Sequence, residues 1–79
     1  MAVILLAEKE PRTGSALKQE LNKAGHETVT AMTQEEVLRF ISIRSYEIVI
    51  LDMDILREGD LDLINFIKQS QPVCEILLT

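Results

Sequence analysis

Hydrophobic residues alternate along this chain between two kinds of pattern. Uninterrupted apolar runs at 2–7 and 48–51 are typical of strands buried on both faces of a parallel sheet. The strand that contains the second run is predicted to begin at Tyr46. Shorter or more polar runs at 26–31 and 73–78 predict outer strands. Between the runs, apolar residues recur at three- and four-residue spacing, which predicts three amphipathic helices. The predicted order of elements is therefore β-α-β-α-β-α-β.

Local signals mark where the first two helices begin and end. Pro11 suits the first turn of a helix, where its missing N–H costs nothing, and Gly25 stands where helices commonly stop. Thr33 is followed three residues later by Glu36, which is the pattern of a capping box. The sequence therefore predicts helices from Pro11 to Ala24 and from Thr33 to about Arg44.

The third helix is predicted after a loop. Residues 53–60 follow Asp52 without a clear apolar period and include Gly59, so we interpret them as a loop. An apolar period then begins at Leu61 and fades at 69–71, just before Pro72. A proline at that point is a common stop signal.

Strands that alternate with helices imply an α/β fold with a parallel sheet and right-handed crossovers. The two most hydrophobic strands, the first and third, are expected side by side in the middle, which gives the strand order 2-1-3-4. The order in which strands are added to the sheet then reverses between strands one and three. Open α/β sheets bind ligands at such a point, beyond the carboxyl ends of the strands. The side chains predicted to line this crevice are Glu8, Lys9, Glu10, Asp52 and Asp54.

Composition narrows the classes of function. The net charge of the 79 residues is -5, which argues against a nucleic-acid surface. Cys74 is the single cysteine, so no internal disulfide forms and nothing indicates an oxidising compartment. The apolar start of the chain lacks the features of a signal peptide or a membrane span. We expect a single cytoplasmic domain, 1–79, that does not bind membranes.

The order of these elements resembles a known family, the receiver domain of two-component response regulators. The resemblance runs along the whole chain and depends on the acidic cluster after the first strand, Pro11, the stop at 25–26, the acids at 35–36 and the stretch 46–52. It implies a flavodoxin-like (CheY-like) fold and a role in phosphorelay signalling. The implied partner is a histidine kinase or phosphotransfer protein, and no enzymatic turnover of its own is expected.

The same resemblance assigns roles to individual residues. Asp52 matches the aspartate that accepts a phosphoryl group, and Glu8 matches the first of the two loop acids that hold Mg²⁺. Asp54 matches the residue that offers its backbone carbonyl to the metal. Thr79 matches the switch hydroxyl that contacts the phosphoryl group. Mg²⁺ prefers such oxygen ligands, so the implied metal set is Glu8, Asp52 and Asp54.

Several positions depart from the family pattern. The second loop acid is replaced by Lys9, whose ammonium repels a cation and could instead pair with Asp52. At ~4 Å and an effective dielectric of about 20, a unit charge pair is worth roughly 4 kcal/mol. The usual Met-Pro after the phosphoacceptor is replaced by 55–56, and the usual Asp-Gly appears in reverse order at 59–60.

The chain also stops at Thr79, where a full receiver continues through about two further helices and a fifth strand. We therefore expect the first and third strands to expose apolar surface, and we expect homo-oligomers that form through this face or the open edge of the fourth strand.

Two other functions stay open. The first is a pseudo-receiver, a protein-interaction domain that takes no phosphoryl group and in which Lys9 balances the charge of Asp52. The second is a small flavodoxin-like enzyme or nucleotide binder, which the sequence supports poorly. No glycine-rich phosphate loop follows the first strand, and Gly14 lies inside the predicted helix.

Overall fold

A computed structural model describes residues 1–59 and 61–79. Four parallel strands form one sheet in the order β2-β1-β3-β4, so the predicted order is confirmed. The elements, numbered along the chain, are β1 (Val3–Ala7), α1 (Pro11–Lys23), β2 (Glu27–Ala31), α2 (Gln34–Ile43), β3 (Ile48–Leu51), α3 (Met53–Leu56), α4 (Leu63–Ser70) and β4 (Glu75–Leu78).

The core lies between one face of the sheet and the helices α2, α3 and α4. Side chains of β1 and β3 that point to this face alternate with those that point away, as the two-residue period of strands requires. The α1 helix packs on the other face, where Gly14 lies against Glu8. The buried cluster consists of Leu5, Ala7, Ala31, Val37, Ile41, Tyr46, Val49, Leu51, Ile55, Leu63, Ile67 and Cys74.

The two inner strands differ in how completely they are buried. On the α1 side of β1, Ile4 and Leu6 are only 2% and 1% exposed, so the prediction that β1 exposes apolar surface is wrong. On the same side of β3, Ile48 and Ile50 are half-buried. Leu77 of β4, the neighbour of Ile50 in the sheet, is 51% exposed. Exposure therefore increases from β1 toward the outer strand, because α1 contacts β1 and β2.

Both predicted helix signals are confirmed. The Thr33 hydroxyl accepts a hydrogen bond from Glu36 N at 3.1 Å, and the Glu36 carboxylate accepts one from Met32 N at 2.8 Å. The first bond satisfies a backbone donor that the first turn of α2 leaves free, and the second ties the residue before the cap to the helix. Gly25 has a φ of 92°, which is the left-handed conformation that favours glycine after a helix.

The segment after Asp52 corrects the sequence prediction. Residues 53–56 form a short helix instead of a loop, because the Asp52 carboxylate caps its first turn and Ile55 is completely buried beneath it. The next helix begins at Leu63, two residues later than predicted, since Asp62 caps it. The predicted place of Asp60 in a loop lies outside the described residues.

All four strands begin later than predicted. The β3 strand begins at Ile48 and β4 at Glu75, each two residues late, while β1 begins at Val3 and β2 at Glu27, each one residue late. Val73, predicted to lie in β4, is 94% exposed. Val73 therefore lengthens the apolar run in the sequence but is not part of strand β4.

Neutral polar side chains connect the elements at the amino end of the sheet. The Gln71 amide donates to the carbonyls of Ile41 and Arg44 at 3.0 and 2.7 Å, and its oxygen accepts from Tyr46 N at 2.8 Å. The Gln71 side chain thus joins the end of α2 to the start of β3 and satisfies groups that would otherwise lack partners. Within the described residues, no helix is long and apolar enough to cross a membrane.

Candidate functional site

The pairing of β1 with β3 brings two acidic side chains together at the carboxyl end of the sheet. Ala7 is opposite Leu51 in this pairing. The hydrogen-bond ladder continues one residue further, since Asp52 N donates to Ala7 O at 2.9 Å. Glu8 N makes the equivalent bond to Ala31 O, also at 2.9 Å. Glu8 and Asp52 are therefore held on rigid backbone at neighbouring strand ends, as predicted.

Backbone N–H groups orient the Asp52 carboxylate. Its Oδ1 accepts a hydrogen bond from Asp54 N at 3.0 Å, and its Oδ2 accepts one from Lys9 N at 3.1 Å. One donor belongs to α3 and the other to the loop between β1 and α1. With one donor on each oxygen, the plane of the carboxylate is fixed, while the remaining lone pairs stay available to a ligand.

An open cavity of about 350 Å³ lies at this carboxylate. We call it the acid cavity. Among the residues that the structure describes, its lining consists of the predicted crevice residues alone: Glu8, Lys9, Glu10, Asp52 and Asp54. Within it, Glu8 Oε2 accepts from Glu10 N at 3.0 Å. The sequence therefore predicted the position of the cavity and its lining.

Glu10 has a structural task besides lining the cavity. Its carboxylate accepts a hydrogen bond from Arg12 N at 3.2 Å and caps the start of α1. A negative charge at this end of a helix is favourable because the helix dipole is positive there.

The two carboxyl groups at the strand ends influence each other's protonation. Burial, followed by a hydrogen bond with Asp52, raises the pKa of Glu8 above its ordinary 4.5. The hydrogen bond with Glu8, together with the N–H groups of Asp54 and Lys9, lowers the pKa of Asp52 below 3.8. Two adjacent acids commonly divide in this way, since only one ionises easily. Asp52 is consequently the member of the pair that ionises more readily, and Glu8 keeps its proton to a higher pH.

The Lys9 side chain is not where the sequence suggested. Its ammonium pairs with Glu58 Oε2 at 3.6 Å, and among residues 1–59 and 61–79 no ion pair joins it to Asp52. The Lys9 backbone N–H, rather than its charge, contacts the phosphoacceptor candidate. Lys9 therefore lines the acid cavity with its ammonium paired to Glu58, and its charge still helps to lower the pKa of Asp52.

The sequence did not predict Glu58 as the ion-pair partner of Lys9. Glu58 follows α3, and its Oε1 also accepts a hydrogen bond from Gln34 N at 3.3 Å. The Gln34 amide donates in turn to Ile55 O and Leu56 O at 2.9 and 3.2 Å, at the end of α3. Glu58 and Gln34 thus tie α2, α3 and the loop of Lys9 together. No spacing signal connects residues so far apart in the sequence.

Thr79 lies near the site without lining the acid cavity. Its N–H donates to Leu51 O at 3.0 Å, and its carbonyl accepts from Met53 N at 3.2 Å. It therefore occupies the strand-end position beside Asp52. Its predicted role as a switch hydroxyl stays a prediction.

The donor set fits a magnesium ion in part. Among the described residues, no group of three or more acids, histidines or cysteines is arranged to hold a metal. Glu8 and Asp52 nevertheless share a hydrogen bond, so two carboxylates converge. Mg²⁺ is commonly bound by one or two carboxylates, with waters and substrate phosphates completing its shell. The residues that could hold it are Glu8, Asp52 and the backbone carbonyl of Asp54.

A doubly wound parallel sheet with paired acids at its reversal point defines the class of protein, a flavodoxin-like α/β domain with a polar site at the strand ends. Protein-family models and functionally curated sequences give no match to this chain. Several solved structures match it. The response regulator TrrA of Thermotoga maritima, in complex with Mg²⁺ and BeF, is 32% identical with a TM-score of 0.85. The match covers 99% of this chain and 68% of TrrA.

Two further structures match this chain, the second of them in fold alone. TrrA in complex with the histidine kinase ThkA matches with 32% identity and a TM-score of 0.84, over 99% of this chain and 67% of that one. A Burkholderia pseudomallei response regulator with a phosphorylated aspartic acid, a calcium ion and citrate is 20% identical with a TM-score of 0.90. It shares the fold over 99% of this chain and 46% of its own.

The chain belongs to the response regulator receiver domains. It spans about two thirds of the length of TrrA and just under half of the Burkholderia protein. The family resemblance inferred from the sequence is thereby confirmed.

Proposed function

We propose that the chain is a phosphorylation-controlled receiver module in which Asp52 accepts a phosphoryl group. The observation that carries the proposal is the state of the Asp52 carboxylate. It stands at the acid cavity, oriented by one backbone N–H on each oxygen, and its pKa is lowered by the hydrogen bond with Glu8. An ionised, oriented carboxylate that opens on a cavity is suited to act as a nucleophile.

The proposed step transfers a phosphoryl group from a phosphorylated histidine to Asp52. An Asp52 oxygen forms a bond to phosphorus as the phosphorus–nitrogen bond breaks. The electron pair of that bond stays on the imidazole, which takes up a proton and leaves. The product is an acyl phosphate, and the chain contributes the nucleophile and its orientation.

Glu8, Asp52 and the Asp54 carbonyl would hold Mg²⁺ beside this step. When bound, the ion neutralises charge on the phosphoryl oxygens. Support comes from the fit of the donor set and from TrrA, which was solved with Mg²⁺ and BeF.

The proposed partner is a histidine kinase or a histidine phosphotransfer protein. TrrA, 32% identical to this chain, was solved in complex with a histidine kinase. The exposed mouth of the acid cavity is open to such a donor, because Lys9, Glu10 and Asp54 are all exposed.

The test is intact-mass spectrometry after incubation with Mg²⁺ and a small phosphodonor such as phosphoramidate. We expect an adduct of one phosphoryl group that is labile to alkali and absent from Asp52→Asn. Asp62→Asn is a matched control, since Asp62 also caps a helix but lies outside the acid cavity. It should form the adduct as the unaltered protein does.

Failure to form an adduct at saturating Mg²⁺, by a protein shown to be folded, would contradict the proposal. That result would favour the pseudo-receiver, for which the replacement of a loop acid by Lys9 is the supporting observation.

A further inference from the structure

We propose that Lys9 and Glu58 form a two-position charge switch. In the unphosphorylated protein, Glu58 holds the Lys9 ammonium aside from the acid cavity, and a phosphoryl group on Asp52 draws the ammonium in. This inference rests on the proposed phosphorylation of Asp52. It assigns a regulatory task to two charged side chains that the proposed chemistry does not otherwise use.

The first step is that Lys9 can reach both positions. Its backbone N–H is 3.1 Å from Asp52 Oδ2, and its side chain lines the acid cavity. Its ammonium is 3.6 Å from Glu58 Oε2. A lysine has a flexible four-carbon stem, so rotation of the side chain carries the charge from one carboxylate to the other without backbone movement.

The second step is that the pair with Glu58 is weak enough to exchange. The Lys9 side chain is 56% exposed and that of Glu58 is 26% exposed. Solvent screens a pair of this kind, which contributes little to stability. Glu58 also keeps a second partner, Gln34 N, so its carboxylate is not left without a donor when Lys9 leaves.

The third step is the change of charge on phosphorylation. Before it, Glu58 and Asp52 each offer a single negative charge, and Asp52 is already satisfied by two backbone N–H groups and by Glu8. A phosphoryl group carries close to two negative charges at neutral pH and several strong acceptor oxygens. The preference of a mobile ammonium therefore passes from Glu58 to the modified Asp52.

Two consequences follow. The pair with Glu58 reduces the repulsion between Lys9 and a cation in the acid cavity, so it permits Mg²⁺ to bind despite the lysine. Departure of Lys9 also removes the side-chain link between the β1–α1 loop and the segment after α3, next to Gln34 at the start of α2. Phosphorylation is thereby transmitted to a surface beyond the site.

The first test measures Mg²⁺ affinity by titration calorimetry without a phosphodonor. Glu58→Gln frees the ammonium to enter the cavity and should weaken binding about fivefold, the effect of one unit charge near 4 Å in water. Lys9→Met removes an ammonium that Glu58 already holds aside, so its affinity should stay close to that of the unaltered protein. Matched controls are Glu20→Gln and Lys23→Met, which change the net charge by the same amounts. These two residues form an exposed pair on α1, and their substitution should leave the Mg²⁺ affinity unchanged.

The second test follows the Lys9 side chain by NMR of its Cε group. Phosphorylation by phosphoramidate and Mg²⁺ should shift the Lys9 signal and leave the Lys23 signal in place. In Glu58→Gln, the Lys9 signal should already be displaced before phosphorylation.

Failure of this inference and failure of the proposed function are distinguishable. If Asp52 is phosphorylated but the Lys9 signal stays fixed, or if Glu58→Gln binds Mg²⁺ as the unaltered protein does, the switch is wrong and the receiver function stands. If Asp52 takes no phosphoryl group at saturating Mg²⁺, both are wrong.

Discussion

The two ends of the sheet are built from the same strands but have opposite chemistry. At the carboxyl end, Glu8 and Asp52 bring carboxyl groups together in an open cavity. At the amino end, the neutral amide of Gln71 makes three hydrogen bonds to backbone groups, and His26 Nδ1 accepts a further one from Ala2 N at 3.0 Å. The carboxyl end brings acidic groups together, whereas the amino end holds its acids in an ion pair of Glu27 with Arg44 and in a hydrogen bond from Val3 N to Glu47.

This difference separates function from stability within a small domain. Acids gathered at one site repel one another when both are ionised, so they contribute little to stability. Neutral amides that fill backbone hydrogen-bonding positions stabilise the fold without such repulsion. We therefore expect substitutions at the amino end to change stability and substitutions at the carboxyl end to change phosphorylation.

The largest expected loss of stability comes from the core that supports the site. Leu51, one residue before Asp52, is completely buried. Truncation by Leu51→Ala leaves a cavity and should lower the free energy of unfolding by about 2–5 kcal/mol, as measured by urea denaturation. Val73→Ala, at a position that is 94% exposed, should change it by less than about 0.5 kcal/mol. Equal losses in the two variants would contradict the described packing.

The next largest effect is predicted for the amino end. Gln71→Ala removes three hydrogen bonds and should cost about 3 kcal/mol, at about 1 kcal/mol for each bond. The free energy of unfolding in urea is again the measurement. Gln69→Ala, two residues earlier on an exposed position of α4, is the control and should be nearly neutral. A Gln71→Ala variant as stable as this control would show that the amide does not join α2 to β3.

Two glycines of the first α/β unit should respond in opposite directions. A Cβ at Gly14 would lie 3.6 Å from Glu8 Cβ and Cγ, an ordinary contact, so Gly14→Ala should stabilise α1 by about 0.5–1 kcal/mol. Gly25 has a positive φ, and Gly25→Ala should destabilise the protein by about 1 kcal/mol. Thermal unfolding followed by circular dichroism measures both shifts. Destabilisation by both substitutions would contradict the close but unstrained position of Gly14.

The smallest effect is a dependence on pH at the carboxyl end. Because the folded protein raises the pKa of Glu8 above its ordinary 4.5, the unfolded chain loses this proton first. Stability therefore falls as pH rises from about 4.5 through the higher pKa of the folded state. Glu8→Gln cannot lose a proton there, so its stability relative to the unaltered protein should increase over this window. Urea denaturation at several pH values, with a chelator present, measures the difference.

A constant difference between Glu8→Gln and the unaltered protein across that window would contradict the shared proton of Glu8 and Asp52. Glu10→Gln is the control, because Glu10 lines the same cavity but caps α1.

Much of the fold was predictable because it follows from local patterns. The apolar runs of β1 and β3 predicted the inner strands, and the capping box at Thr33 and the glycine at 25 predicted helix boundaries. The position of Asp52 and Glu8 in one crevice then followed from the parallel order of the strands. These features depend on period and on chain topology, both of which the sequence displays.

The remainder depends on contacts between distant residues. The four-residue α3 is shorter than the window in which a helical period can be recognised, and it forms because Asp52 caps it and Ile55 is buried. The pairing of Lys9 with Glu58 and the three bonds of Gln71 require side chains to meet across the fold. The spacing of residues in the sequence does not predict such contacts.

Side-by-side phosphorylation of Gln71→Ala and Asp52→Asn tests most directly whether function and stability lie at opposite ends of the sheet. Each variant, confirmed as folded, is incubated with Mg²⁺ and phosphoramidate, and its intact mass is recorded. We predict that Gln71→Ala takes up one phosphoryl group like the unaltered protein, and that Asp52→Asn takes up none. An adduct on Asp52→Asn, or its loss in a folded Gln71→Ala, would contradict the account.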